Sequence, residues 1–129
     1  MRVTNLDHLV LTVADIETTT SFYERVLRME SIVFASDRRA LRFGEQKLNL
    51  HAQGHEFEPK AAHPLAGSAD LCFLLDGPLE AAIDHLHAEG VPIEHGPVVR
   101  SGALGPIRSV YFRDPDGNLI EVAEQLPIE

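Results

Sequence analysis

YFRDPDGNLIEV, residues 111–122, decides how the rest of this chain is read. It divides into a strand, a tight turn at Asp114-Pro115-Asp116-Gly117 and a returning strand. On the returning strand Leu119, Glu121 and Ala123 share one face, and Ile120 and Val122 the other. Glu121 therefore sits mid-strand in an apolar context, where a carboxylate needs a partner because an unpaired buried charge is costly. A divalent metal ion is the partner expected here. If the strand faces solvent at an edge, Glu121 is instead an ordinary surface residue.

Working outward, the same grammar appears twice. Leu6–Val13 (LDHLVLTV) alternates as a strand, with Leu9, Leu11 and Val13 on one face and His8, Val10 and Thr12 on the other. Asp15 offers a helix N-cap for IETTTSFYERVLRM, although Thr18, Thr19 and Thr20 weaken its first turns. Three short strands are expected near 32–36, 40–43 and 47–51, the last placing Asn49 and His51 opposite Leu48 and Leu50. A connector with no sustained period follows, at about 54–67. Then 69–75 reads as a strand, and a helix opens at Pro78 with the stripe Leu79, Ala82, Ile83, Leu86 and stops at Gly90. Strands are expected near 93–99, 107–113 and 119–124, with Gly- and Pro-rich 96–106 as a loop carrying Arg100.

The order strand, helix, three strands is thus written twice, in an α+β chain of 129 residues. The expected arrangement is one domain, 1–129, with module one at about 1–53 and module two at about 68–129. Laying the halves together sets His8 against Asp70 and Asn49 against Glu121, each on the strand face away from the apolar one.

A formal net charge of −9 argues against nucleic-acid or anionic-membrane partners. No apolar run approaches spanning length, MRVTNLDHL lacks a signal peptide's apolar segment, and the single cysteine, Cys72, excludes an internal disulfide. A cytoplasmic location is expected.

The repeat and its motifs, from LDHLVLTVADIETTTSFYERVL to DPDGNLIEV, resemble the vicinal-oxygen-chelate superfamily of glyoxalase I, fosfomycin- and bleomycin-resistance proteins and extradiol dioxygenases. FGEQKLNLHAQGHEFEPKAAHPLAGSADLCFL and GPIRSVYFRDPDGNLIEV are most similar to the glyoxalase-domain-containing protein 5 branch. That resemblance implies two tandem βαβββ modules in a curved mixed sheet around a metal cleft. It implies His8 and Glu121 as metal ligands, with Asp70 where the family usually has a second histidine. Asn49 takes the place of a glyoxalase I glutamate, and His51 projects to the same face; either is a further ligand or simply hydrogen-bonds in the cavity. Tyr111 matches an active-site tyrosine of the dioxygenases, whereas RSGALGPIRS lacks their preceding histidine. Tyr111 and Glu121 are the groups expected to act in catalysis, and Arg100 is expected to hold an anionic substrate group.

The cofactor implied is a divalent ion, Fe, Mn, Mg, Ni or Zn. One histidine with two carboxylates suits Mn²⁺, Mg²⁺ or Fe²⁺ better than a strictly glyoxalase-like Zn or Ni site. The resemblance implies a metal-dependent enzyme acting on a small substrate with vicinal oxygens, and, as small members of the superfamily usually pair, a homodimer is expected. The alternatives are a metal-independent protein that sequesters a drug-like molecule, and a degenerate module that binds metal without turnover. Cys72, facing the same side as Asp70, reads as a small packing residue.

Overall fold

The computed structural model describes residues 1–128, which form two compact units, Met1–Gly67 and Ser68 onward. The first contains β1 (His8–Val13), α1 (Ile16–Leu27), β2 (Glu30–Phe34), β3 (Arg38–Phe43) and β4 (Gln46–Ala52). The second contains β5 (Asp70–Leu74), α2 (Leu79–Ala88), β6 (His95–Gly102), β7 (Gly105–Arg113) and β8 (Leu119–Gln125). Each is a βαβββ module with one mixed four-stranded sheet, in order β1-β4-β3-β2 and β5-β8-β7-β6. In both, the first strand runs parallel to the last and the remaining pairings are antiparallel.

Apolar alternation decides which sheet face each helix covers. In the first unit Leu41, Leu48 and Leu50 are buried, as are Tyr23 and Val26 of α1. Glu17, in the first turn of α1, pairs with Arg39 on that same strand face. In the second unit Val110, Phe112, Ile120 and Val122 are almost fully buried, as are Leu79 and Leu86 of α2. There Glu80 pairs with Arg108, and Glu124 accepts from the Leu79 N–H at 2.9 Å, meeting one of the orphan donors at the helix start. The other face of each sheet is free to carry chemistry.

Helix α1 begins as its sequence suggests, with Asp15 Oδ1 accepting from Thr18 N at 2.9 Å. Thr19 and Thr20 are buried, so packing offsets their weak helix propensity. Pro78 stands one residue earlier than expected, as the N-cap of α2.

Two strand assignments need correction. The second strand spans 30–34 rather than 32–36, because Ala35, Ser36 and Asp37 all take positive φ and turn the chain. Residues 96–106 are not a loop. They form most of the β6–β7 hairpin, with Ala103 and Leu104 at its tip, and Arg100 lies on a strand. Pro97 is tolerated because β6 is an edge strand with an irregularity beside it, and Pro106 because it stands at the start of β7.

Candidate functional site

The turn after β7 positions Glu121. Asp114 Oδ1 accepts from the backbone N–H groups of Asp116 and Asn118, both at 2.9 Å. Asn118 is 0 % exposed; its side chain donates to Asp114 Oδ2 at 2.8 Å and accepts from Ala69 N at 2.8 Å. Arg113 grips Glu94 through two 3.0 Å hydrogen bonds and donates to the Gly117 carbonyl at 3.1 Å. These bonds fix the starts of β5 and β8 side by side, with Asp70 opposite Leu119 and Cys72 opposite Glu121.

A row of side chains then crosses the second sheet on the face away from α2. Cys72 pairs with Glu121, Glu121 with Tyr111, and Tyr111 with His95. Glu121 Oε2 is buried with no hydrogen-bond partner. Cys72 lies against this carboxylate. Burial, then Glu121, then Asp70 push its thiol up to about 11, so it stays protonated at neutral pH. The expected packing role for Cys72 therefore gains a neighbour, the Glu121 carboxylate, that the sequence did not reveal.

At the other end of the row Arg100 Nε donates to the Tyr111 hydroxyl at 3.1 Å, and its Nη2 lies 3.3 Å from His95 Nε2. Arginine has only donors, so His95 Nε2 is the acceptor. His95 also packs against the Tyr111 ring, centroids 5.8 Å apart. The sequence alone does not single out His95. An irregularity in β6 between His95 and Val98 places it, rather than Gly96, opposite Tyr111. The signal was Gly96-Pro97 inside an apolar alternation. Gly96 has φ +101, and a Cβ there would stand 2.5 Å from the Ser109 carbonyl oxygen.

The first sheet carries different chemistry on its corresponding face. The row matching Cys72–Glu121–Tyr111–His95 is Val10, Asn49, Ala40 and Ile32. Asn49 is buried and its Oδ1 has no hydrogen-bond partner. His51, also buried, lies 3.5 Å from Arg38 Nη2 and packs edge-on against Phe57, centroids 5.6 Å apart. Burial, then the Arg38 charge, hold the His51 imidazole below its usual range, with Glu56 acting weakly the other way. His8, exposed at the start of β1, shares this face; its Nδ1 lies 2.9 Å from Asp7 Oδ2, which leaves Nε2 available.

The structure thus gathers Asp70, Glu121, Tyr111 and Arg100 on one face of the second unit, and His8, Asn49 and His51 on one face of the first. Among the described residues no three His, Cys, Asp or Glu side chains are already gathered as an ion cage. The donor types nevertheless fit a divalent ion. A buried carboxylate oxygen without a partner is the atom such an ion would satisfy, and a histidine whose Nδ1 meets a carboxylate is oriented as metal-binding histidines are.

The model of the Glyoxalase/Bleomycin resistance protein/Dioxygenase superfamily matches residues 5–122. Virulence protein STM3117 of Salmonella typhimurium is 52% identical, over 96% of this chain and 86% of its own. The crystal structure of that protein has a TM-score of 0.96, covering 98% of this chain and 100% of that one. Glyoxalase domain-containing protein RDO1 of Mycosarcoma maydis is 50% identical, over 95% of this chain and 69% of its own. An integron cassette protein from the mobile metagenome of V. cholerae is 59% identical with a TM-score of 0.96, covering 98% of each chain.

Proposed function

The chain belongs to the glyoxalase/bleomycin resistance protein/dioxygenase superfamily, a group of metalloenzymes and drug-binding proteins, and from that premise we propose that it is a metal-dependent enzyme. Its substrate is a small molecule presenting two adjacent oxygens to a divalent ion. The observation that carries this reading is the buried, unpartnered Oε2 of Glu121. His8 and Glu121 would hold the ion, with Asp70 as the third ligand. A bound divalent ion supplies a Lewis acid that polarises a carbonyl or stabilises an enediolate or catecholate.

The chain's own residues do the rest. Tyr111 accepts a hydrogen bond from Arg100, which leaves the phenol O–H to donate outward. The remaining Arg100 N–H groups would face an anionic substrate group, with His95 behind the guanidinium. Cys72 beside Glu121 is a thiol that stays protonated and so does not compete as a nucleophile. Homodimer formation and a cytoplasmic setting belong to the same proposal. Val10 and Leu74 expose apolar side chains on strands at the sheet edges, a surface a second copy would cover. No helix among the described residues is long and apolar enough to cross a membrane.

The competing reading is metal-independent sequestration of a drug-like ligand. It is favoured by the Phe57 ring, 44 % exposed beside His51 and Arg38. Two assays separate the readings. Metal-dependent oxygen uptake with catechols, or metal-dependent hemithioacetal isomerisation, is the expected result. Absence of both, together with unchanged melting on adding Mn²⁺, Fe²⁺, Ni²⁺ or Zn²⁺, would point to sequestration.

A further inference from the structure

The chain has 11 lysines and arginines against 20 aspartates and glutamates, so carboxylates outnumber the cations that could pair with them. In the first unit Arg39 pairs with Glu17, Arg42 with Glu30 and Lys60 with Glu58. Arg38 and Lys47 instead meet aromatic rings and an imidazole. Arg38 contacts the Phe57 ring at 4.4 Å, the Phe34 ring at 5.4 Å and His51 Nε2 at 3.5 Å. Lys47 Nζ stands 3.7 Å from the centre of the Phe34 ring. Glu56, whose charge reaches His51, turns its carboxylate to the Gly54 N–H at 2.6 Å.

Aromatic rings and an imidazole hold a cation in place without cancelling its charge. Two such cations meet at one benzene ring, and an anion placed between them would offset their mutual repulsion. Both lie on the sheet face away from α1, since Phe34 pairs with Arg38, Arg42 with Lys47, and Ala40 with Asn49. Asn49, 6 % exposed, adds an independent sign of a ligand. Its Oδ1 has no donor, and a buried carbonyl oxygen calls for one.

We propose that this face of the first unit binds a flat organic anion, an aromatic or conjugated carboxylate. Arg38 and Lys47 take the carboxylate, Phe34 and Phe57 take the flat body, and Asn49 Oδ1 accepts from a hydroxyl or amine on the ligand. Arg38 presents a planar fork of donors suited to two carboxylate oxygens, and Lys47 a point charge. The half-exposed Phe57 ring, carried by the segment after β4, is the wall a ligand would displace or stack on. This assignment rests on Arg38, Lys47, Phe34, Phe57 and Asn49, and not on His8, Asp70 or Glu121, so it does not depend on the metal reading.

The test is calorimetric titration of EDTA-treated protein with salicylate, with its neutral isostere salicylamide and with sulfate. Salicylate should bind at least about tenfold tighter than salicylamide, and sulfate should not displace it at equal concentration. Arg38→Gln should weaken salicylate by about tenfold or more and Lys47→Gln by about threefold. Melting curves check folding, and if Arg38→Gln does not fold, Lys47→Gln decides. Equal binding of salicylamide, displacement by sulfate, wild-type affinity in the folded variants, or no binding at about 10 mM would each overturn the proposal. Salicylate binding that returns only with added Mn²⁺, whatever residues 38 and 47 are, would overturn the anion site and leave the metal reading standing.

Discussion

Tyr111 stands directly across the β7–β8 ladder from Glu121, on the sheet face away from α2. Its hydroxyl is tied to Arg100, which in turn reaches His95. In the proposed enzyme a phenol so placed would give a proton to substrate. Tyr111→Phe should therefore lower turnover by about 100-fold while leaving metal content and melting temperature close to wild type. Steady-state kinetics with metal analysis of the same preparations checks this; unchanged turnover would make Tyr111 a wall of the site.

Cys72 offers a reaction that needs no substrate. Burial raises its thiol first, and the Glu121 and Asp70 charges add to that, giving a value of about 11. Alkylation at pH 8 should be slow although the side chain is accessible. Glu121→Gln removes one of the two charges and should speed modification several-fold, as the thiolate fraction rises. A rate independent of residue 121 would mean that Cys72 does not feel that carboxylate.

His51 makes stability depend on pH. Its folded form holds the proton less tightly than the unfolded chain, because burial and Arg38 disfavour the imidazolium. Above the unfolded value of 6.5 both states are neutral and nothing is lost. As pH falls below 6.5 the unfolded chain takes up a proton first, so stability drops until the folded imidazole also titrates. His51→Gln should flatten this part of the melting profile between about pH 7 and 5, and Arg38→Gln should shift the His51 titration upward by NMR. An identical slope in the His51 variant would contradict the assignment.

Asn118 carries the turn. Replacing it with Ala removes the part-buried hydrogen bond to the Ala69 N–H and the buried one to Asp114 Oδ2. The expected loss is about 2–4 kcal/mol, read by denaturant unfolding. A loss below about 0.5 kcal/mol would show that the bonds are replaced by water.

Much of this was legible beforehand because β-strand alternation is a local signal. The helix stripe of Leu79, Ala82, Ile83 and Leu86 and the strand face of Leu48 and Leu50 name the apolar side without knowledge of the fold. Duplication then pairs His8 with Asp70 and Asn49 with Glu121, and the strand registers agree: Val10 faces Asn49 as Cys72 faces Glu121. The β6–β7 hairpin is hidden in the sequence because glycine and proline usually mark loops, and only the partner strand shows that an edge position tolerates them. His95 is hidden for a related reason: one extra residue in β6 changes which side chain meets Tyr111. The Arg38–Phe57–His51 cluster depends on how residues after β4 fold back, which no periodicity encodes.

Metal binding by wild-type protein, His8→Gln and Glu121→Gln tests the central claim most directly. After EDTA treatment and dialysis, Mn²⁺ titration followed by calorimetry should give about one tight site per wild-type chain, weakened by about 10- to 100-fold or more in either variant. Unaltered Mn²⁺ affinity in both variants, or no binding by the wild type to Mn²⁺, Fe²⁺, Ni²⁺ or Zn²⁺, would contradict it.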